Sequence, residues 1–396
     1  MFCSLEELAA GTEKSLFLGR LLRAGLPVPP GFILTGEAHQ EFLRENSPRE
    51  QLPDSVLHLL KKEYEELSVG KDLLELSGSA LDIIKSVRGQ ASVAVRGPGL
   101  TILSVKGFPH LQKAVREVWT RAPGELLVQK MVETEKVAMI SRHPVRDALL
   151  IECTWGLSLL ENSTPDLAVL PAEGDATLQI GGKEWSLVKD SLSEQPILER
   201  VLSEKRAIPS LTKADAAALV RLLKQAEELL GTALSLEVAF QRNRPWVLQA
   251  RPFRKLPQDG LPGPAGAPGD GPLGPAGSSG RASPDGPLGP AGSSGRAAGE
   301  PVAQGDVICP GKVWGKVRRV LSGADIATLQ PGEIAVADSV QKGLLGRPLA
   351  GLIVRKGSLF QIQKSVSFPC LRADTATLLT GQDIFLDAVE GTIYRL

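Results

Sequence analysis

LSLEVAFQRNRPWVLQARPF, residues 234–253, sets apolar and polar side chains in near alternation on both sides of Arg242-Asn243-Arg244. A period of two around a short polar turn predicts a β-hairpin with one face turned to a core. The polar positions carry chemistry. Glu237 on one strand and Gln249 on the other offer oxygen ligands of the kind Mg²⁺ takes, and Arg251 is suited to bidentate contact with phosphate. The bland alternative is a solvated face with an ordinary cross-strand Glu/Gln pair.

Upstream, Thr212-Lys213-Ala214-Asp215 has the pattern of a capped helix start, and that helix is expected to run to Gly231. Further back, ALLIECTWG, VAMISRHP (137–144) and ELLVQKMV (125–132) read as consecutive strands, with LQKAVREVW before them as a helix. ASVAV (91–95) is a strand of buried type ending at Arg96, GFILT reads as a short strand, and the stretch after it, through residue 88, is expected to be helical and amphipathic. SLFLGRLLRAG is a helix stopped by Gly25 and Pro27-Val28-Pro29-Pro30, and Ser4-Leu5-Glu6-Glu7 is a capping-box pattern that predicts an earlier helix start. Strands and helices in this succession indicate an α/β or α+β domain. Arg96, Gln129, Glu237, Gln249 and Arg251 are the polar residues at strand ends or inside apolar strands, and together they suggest a nucleotide site.

Downstream the composition changes. Residues 260–299 hold 13 Gly and 8 Pro, and GPLGPAGSSGRA occurs twice there, at 271–282 and 286–297. Gly recurs at every third position only from Gly260 to Gly269, so a collagen triple helix is excluded. The stretch is expected to be a flexible, partly polyproline, collagen-like linker over 257–300. It separates a domain over 1–256 from one over 301–396, whose short strands suggest a compact β/β/α unit. The 45 Lys and Arg balance 45 Asp and Glu, which argues against a nucleic-acid or polybasic membrane surface. Cys3, Cys153, Cys309 and Cys370 form no CxxC pair, and no signal peptide is visible at the start. Both fit a reducing, cytoplasmic setting.

The order of these motifs resembles the phosphoenolpyruvate synthase, pyruvate phosphate dikinase and rifampicin phosphotransferase family. LPVPPGF at 26–32 is similar to that family's G-x-P-V-P-P-G-F, SVAVRG to its V-R-S-S strand, LLVQKMV to its glutamine strand, and SLEVAF…WVLQARPF to its D-I-E-W-A…L-L-Q-A-R-P. The resemblance implies an ATP-grasp fold of two lobes. It makes Lys14 the ATP-phosphate lysine, Arg96 the phosphate arginine and Gln129 a residue near the adenine. Gly97 and Thr101 become phosphate contacts, Glu237 and Gln249 the Mg²⁺-side pair, and Arg251 a further phosphate contact. ATP and Mg²⁺ are the implied cofactors. GDVICPGKVWGKVRRV (305–320) is similar to the start of the family's swivelling domain.

The departures are as informative as the matches. The glycine-rich lid after the family's arginine is mostly missing, because Arg96-Gly97-Pro98-Gly99-Leu100-Thr101 leads straight into LSVKG. Pro98 also removes one N–H donor. Ser235 stands where the first acid of D-I-E would be. Most important, the swivelling domain of the family carries a phosphocarrier His, and here Ser358 takes its place. The four His are His39, His58, His110 and His143, with none beyond residue 143. Ser358 is expected to be a structural turn, and His143 a loop-stabilising residue. The expectation is an ATP-binding protein of the family, a pseudoenzyme with impaired or lost phosphotransfer. The alternatives are an active ATP-dependent phosphotransferase using another acceptor, and an interaction or scaffold protein that binds no nucleotide.

Overall fold

The computed structural model describes residues 2–45, 51–69, 90–253, 299–341 and 343–396. The expected helical stretch at 46–50 and 70–89 lies outside the described residues, as does the linker sequence at 257–298. Two compact units separate. One comprises the chain up to Phe253 together with Lys356–Lys364, and the other the remainder.

The first unit holds β1 (Phe2–Ser4), α1 (Glu13–Arg23), β2 (Gly31–Leu34), α2 (Gly36–Glu45), α3 (Asp54–Val69), β3 (Ser92–Gly97), β4 (Leu100–Lys106), α4 (Phe108–Arg121) and β5 (Leu126–Lys130). It continues with β6 (Lys136–Arg142), β7 (Ala148–Trp155), β8 (Asp166–Pro171), β9 (Thr177–Gln179), β10 (Trp185–Lys189), β11 (Pro196–Arg200), α5 (Ser203–Ala207), α6 (Lys213–Leu230), β12 (Leu234–Gln241) and β13 (Arg244–Pro252). A five-stranded sheet runs β1-β2-β5-β3-β4 and a six-stranded sheet runs β13-β12-β6-β7-β8-β9. Every pairing in both is antiparallel, so of the two expected classes the chain adopts α+β.

Each sheet has its own core. Phe32, Phe42, Leu60, Val95, Val115 and Trp119 bury α2, α3 and α4 against the first sheet. Leu18, Leu21, Leu219, Leu223, Leu236 and Val238 bury α1 and α6 against the second. The strands ELLVQKMV and VAMISRHP, adjacent in sequence, therefore belong to different sheets. The crossing from one to the other occurs between Lys130 and Lys136.

Ser4-Leu5-Glu6-Glu7 does not start a helix. Phe2–Ser4 pair with Phe32–Leu34 as an edge strand, and residues 5–7 form a turn with Glu7 N–H donating to Ser4 at 3.1 Å. Leu5 and Leu8 are buried beside α1, so tertiary burial outweighs the local cap signal. At α6 the signal holds. Thr212 and Asp215 form a reciprocal capping box, and the helix ends before Gly231.

The second unit contains β14 (Glu300–Cys309), β15 (Lys312–Val320), α7 (Gly323–Ala327), β16 (Ile334–Ala337), β17 (Gly351–Val354), β18 (Cys370–Ala373), β19 (Asp383–Asp387) and β20 (Thr392–Arg395). Rather than stacking as layers, the seven strands close into a barrel in the order β14-β18-β17-β16-β15-β19-β20. β15 to β18 are parallel neighbours and the rest are antiparallel. Closure removes the free sheet edges. The first strand begins at Glu300, inside the range expected for the linker. The short helix α8 (Leu359–Gln363) lies in the segment counted with the first unit.

Candidate active site

The hairpin β12–β13 builds the floor of a cavity of about 670 Å³ in the first unit. Its two-residue turn is Arg242-Asn243, both at positive φ (49° and 60°), the twist that lets two strands stay paired across so short a loop. Glu237 faces Gln249 directly, and Ser235 faces Arg251. Leu236 and Val238 point the other way, into the core. Between Glu237 and Val238 the register slips, with Leu248 as the extra residue, and such bulges re-aim the side chains beside them. Gln249 Oε1 accepts from Arg251 Nη2.

The β3–β4 hairpin makes a wall. Arg96 pairs with Thr101 and Gly97 with Leu100, leaving Pro98-Gly99 as the turn. Gly99 has φ +75°, the conformation that the third residue of a Pro-Gly type II turn requires. The β3–β4 connection is thus a tight turn, with Gly97 and Thr101 both on the cavity. The start of α1 brings Lys14, and α8 brings Lys364.

Seven of the eight residues singled out in the sequence line this one cavity: Lys14, Arg96, Gly97, Thr101, Glu237, Gln249 and Arg251. Gln129 does not. It is 1% exposed in β5, where its Nε2 donates to Pro29 O at 3.3 Å and its Oε1 is buried without a hydrogen-bond partner among the described residues. β5 is buried along both faces, so the strand pattern gives no hint of which side Gln129 takes.

The charges define the chemistry. Burial pulls the Lys14 ammonium below the ordinary lysine range, and neighbouring Arg251 adds to the effect. Arg96 is likewise lowered, first by burial and then by Arg251, with Glu237 opposing, and its Nε is buried with no hydrogen-bond partner among the described residues. Lys364 is lowered by burial and by Arg251 and Lys14, again with Glu237 opposing. Four cations, Lys14, Arg96, Arg251 and Lys364, thus share the cavity with the carboxylates Glu237, Glu125 and Glu13. A polyanion is the ligand that relieves them.

Other residues have structural roles. Ser235 Oγ lies 2.6 Å from Ser141 Oγ. His143 Nδ1 receives the backbone N–H groups of Val145 and Arg146 at 3.1 and 3.0 Å, with the tautomer assigned from those contacts, and so it stabilises its loop. Ser358 is fully buried and caps α8, its hydroxyl accepting from Gln361 N and donating to the buried carboxylate of Glu152. Glu152 also accepts the Leu359 N–H at 2.8 Å.

Glu13, the carboxylate beside Lys14 in Gly11-Thr12-Glu13-Lys14-Ser15, also lines the cavity, whereas sequence reasoning missed a further one, Glu125. Glu125 opens the ELLVQKMV run and reads as an ordinary strand end. Its partners, Thr12 and Ser15, lie more than a hundred residues away, so no local signal could have found it.

Residues 125–261 match the model of the pyruvate phosphate dikinase AMP/ATP-binding domain, a span that includes Glu237, Gln249 and Arg251. The chain is also 24% identical over 304 residues to a probable phosphoenolpyruvate synthase of Methanocaldococcus jannaschii, covering 61% of this chain and 25% of that protein. Over these spans it is similar to the phosphoenolpyruvate-utilising enzymes. A second relative, a probable phosphoenolpyruvate synthase of Archaeoglobus fulgidus, is 21% identical across 96% of this chain and 56% of its own length. The prodigiosin synthesizing transferase PigC of Serratia marcescens is 26% identical over 276 residues, 61% of this chain and 31% of that protein. The chain therefore spans between a quarter and just over half of the length of these relatives. Among the described residues no helix is long and apolar enough to cross a membrane.

Proposed function

We propose that this protein binds Mg·ATP in the first unit and does not pass the phosphate on, a pseudoenzyme of the phosphoenolpyruvate-utilising family. In this reading the two antiparallel sheets of the first unit are the two lobes of an ATP-grasp. The barrel is the family's swivelling domain without its phosphocarrier. The observation that carries the reading is that Lys14, Arg96, Arg251 and Lys364 gather on one cavity and outnumber its carboxylates Glu237, Glu125 and Glu13, an excess of positive charge that suits a polyphosphate.

The donor set suits Mg²⁺ that arrives with phosphate. Magnesium keeps most of its water and is held by one or two carboxylates plus phosphate oxygens. Glu237 and the Gln249 amide oxygen would supply the protein ligands, with the amide exchanging its contact from Arg251. Among the described residues no cluster of three or more His, Cys, Asp or Glu could hold a metal alone. When bound, the ion would neutralise phosphate charge, while Lys14, Arg96 and Arg251 would orient the oxygens.

Three features argue against transfer. No His follows residue 143, Ser358 is engaged as a helix cap on Glu152, and the lid over the phosphates is reduced to Pro98-Gly99. Loss of one preorganised donor lowers a rate by about 10²–10³-fold. Losing the lid and the carrier together removes the reaction and leaves the binding cations in place.

A thermal shift tests the binding. A ligand at a hundredfold its Kd stabilises the folded state by about 2.7 kcal/mol. Mg·ATP should raise the melting temperature of the full chain, and Lys14→Ala and Arg96→Ala should each abolish most of the rise. Absence of any shift at millimolar Mg·ATP would overturn the reading.

A further inference from the structure

The start of α1 is built differently from an ordinary helix start. Thr12 is its N-cap, yet no side chain caps the first turn. The Thr12 hydroxyl instead donates to Glu125 Oε1 at 2.8 Å, the Thr12 N–H donates to Oε2 at 2.9 Å, and Ser15 Oγ donates to Oε1 as well. At α6, by contrast, Thr212 accepts the Asp215 N–H in the usual way.

Three donors therefore converge on a single carboxylate, and all three residues line the same cavity as Lys14, Arg96 and Arg251. Gly11 makes room for it, since a Cβ there would lie 2.8 Å from Glu125 Oε2. A phosphate oxygen uses the same donors that this carboxylate holds: a backbone N–H and two hydroxyls at a helix N-terminus. The buried Arg96 Nε, without a hydrogen-bond partner among the described residues, is an independent sign that the cavity is built for an anion.

We propose that Glu125 is a specificity-determining residue of this cavity: an anion supplied by the chain that occupies the donors at the start of α1 and sets how tightly a polyphosphate is held. This inference rests on the nucleotide reading. An incoming polyphosphate either displaces Glu125 from Thr12 and Ser15 or sits beside its negative charge, and both lower affinity. Removing the carboxylate should therefore tighten binding, the opposite of what loss of a merely structural contact does.

The test is calorimetric titration of the full chain and of Glu125→Gln and Glu125→Ala with Mg·ATP, tripolyphosphate and adenosine. Relieving a like-charge contact predicts that Mg·ATP and tripolyphosphate tighten by about fivefold or more in both variants, while adenosine is unchanged. Adding Ser15→Ala to Glu125→Gln should take back part of the gain. The isosteric Gln variant, checked by its melting temperature, keeps the result readable if the Ala variant folds poorly. Wild-type binding with unchanged or weaker affinity in Glu125→Gln would overturn the role of Glu125 and leave the nucleotide reading standing. A gain untouched by Ser15→Ala would overturn the assignment of the donors. Binding of Mg·ATP by the variants alone would support the role of Glu125 and overturn the reading that the wild type holds the nucleotide. Binding by neither wild type nor variants would overturn the nucleotide reading, and this inference with it.

Discussion

Lys14, Arg96 and Lys364 share one feature: each holds its proton less firmly than it would in water. The cavity partly desolvates each and sets it near other cations, though the side chains of Lys14 and Lys364 keep solvent exposure. This has a pH consequence. Beside a phosphate the Lys14 ammonium is favoured again, so binding takes up protons wherever the empty cavity has lost them. Affinity for Mg·ATP should be full below the lowered pKa of Lys14 and should fall as pH rises through it. The fall should begin below the ordinary lysine value of 10.5. Lys364 titrates in the same sense. Titrations across alkaline pH should therefore show a decline that Lys14→Arg reduces and that Lys14→Arg with Lys364→Arg removes. A profile flat in the wild type would contradict the placement of these lysines on the phosphate.

At the scale of elements, the second sheet is tied by a buried polar hub at the start of β8. Asp166 accepts the N–H groups of Gly181 at 2.8 Å and Ser210 at 2.6 Å, the Ser210 hydroxyl at 2.7 Å and the ammonium of Lys183. Both charges of the ion pair are fully buried. Removing one partner leaves the other charge unpaired in the interior, so Lys183→Met should destabilise the first unit by about 3–5 kcal/mol. Adding Asp166→Asn should recover part of the loss, as read by urea denaturation.

The same scale explains what could be read from sequence. The hairpin at 234–252, α6, α1 and β3 announce themselves through local signals: alternation, a Thr-x-x-Asp cap, a Pro-rich stop. Ser4-Leu5-Glu6-Glu7 misleads because strand pairing with Phe32–Leu34 and burial of Leu5 and Leu8 depend on distant residues. β8 to β11 give little warning, since β9 and β11 are largely exposed and carry no strong apolar face. Lys14, Arg96, Glu237, Gln249 and Arg251 were legible through their order along the chain. Glu125 was not, because a carboxylate ahead of an apolar strand looks the same whether it faces solvent or the start of α1.

At the scale of the molecule, the polar cavity belongs to the first unit, and the second is a barrel with an apolar interior of residues such as Ile334, Ile353 and Ile384. Burial pushes the thiols of Cys153 and Cys309 up to about 12 and about 11 and raises that of Cys370 as well, which keeps all three protonated and poorly nucleophilic at neutral pH. Ser358 is held as a helix cap and donates to Glu152. On the proposed reading the chain binds ATP without transferring its phosphate. The most direct test is equilibrium dialysis of the full chain against Mg·ATP labelled in its β- and γ-phosphates, followed by chromatography of the retained nucleotide. The account predicts that ATP is retained, recovered unchanged, and leaves no label on the denatured protein. Failure to retain ATP, recovery of AMP or ADP, or label remaining on the chain would contradict it.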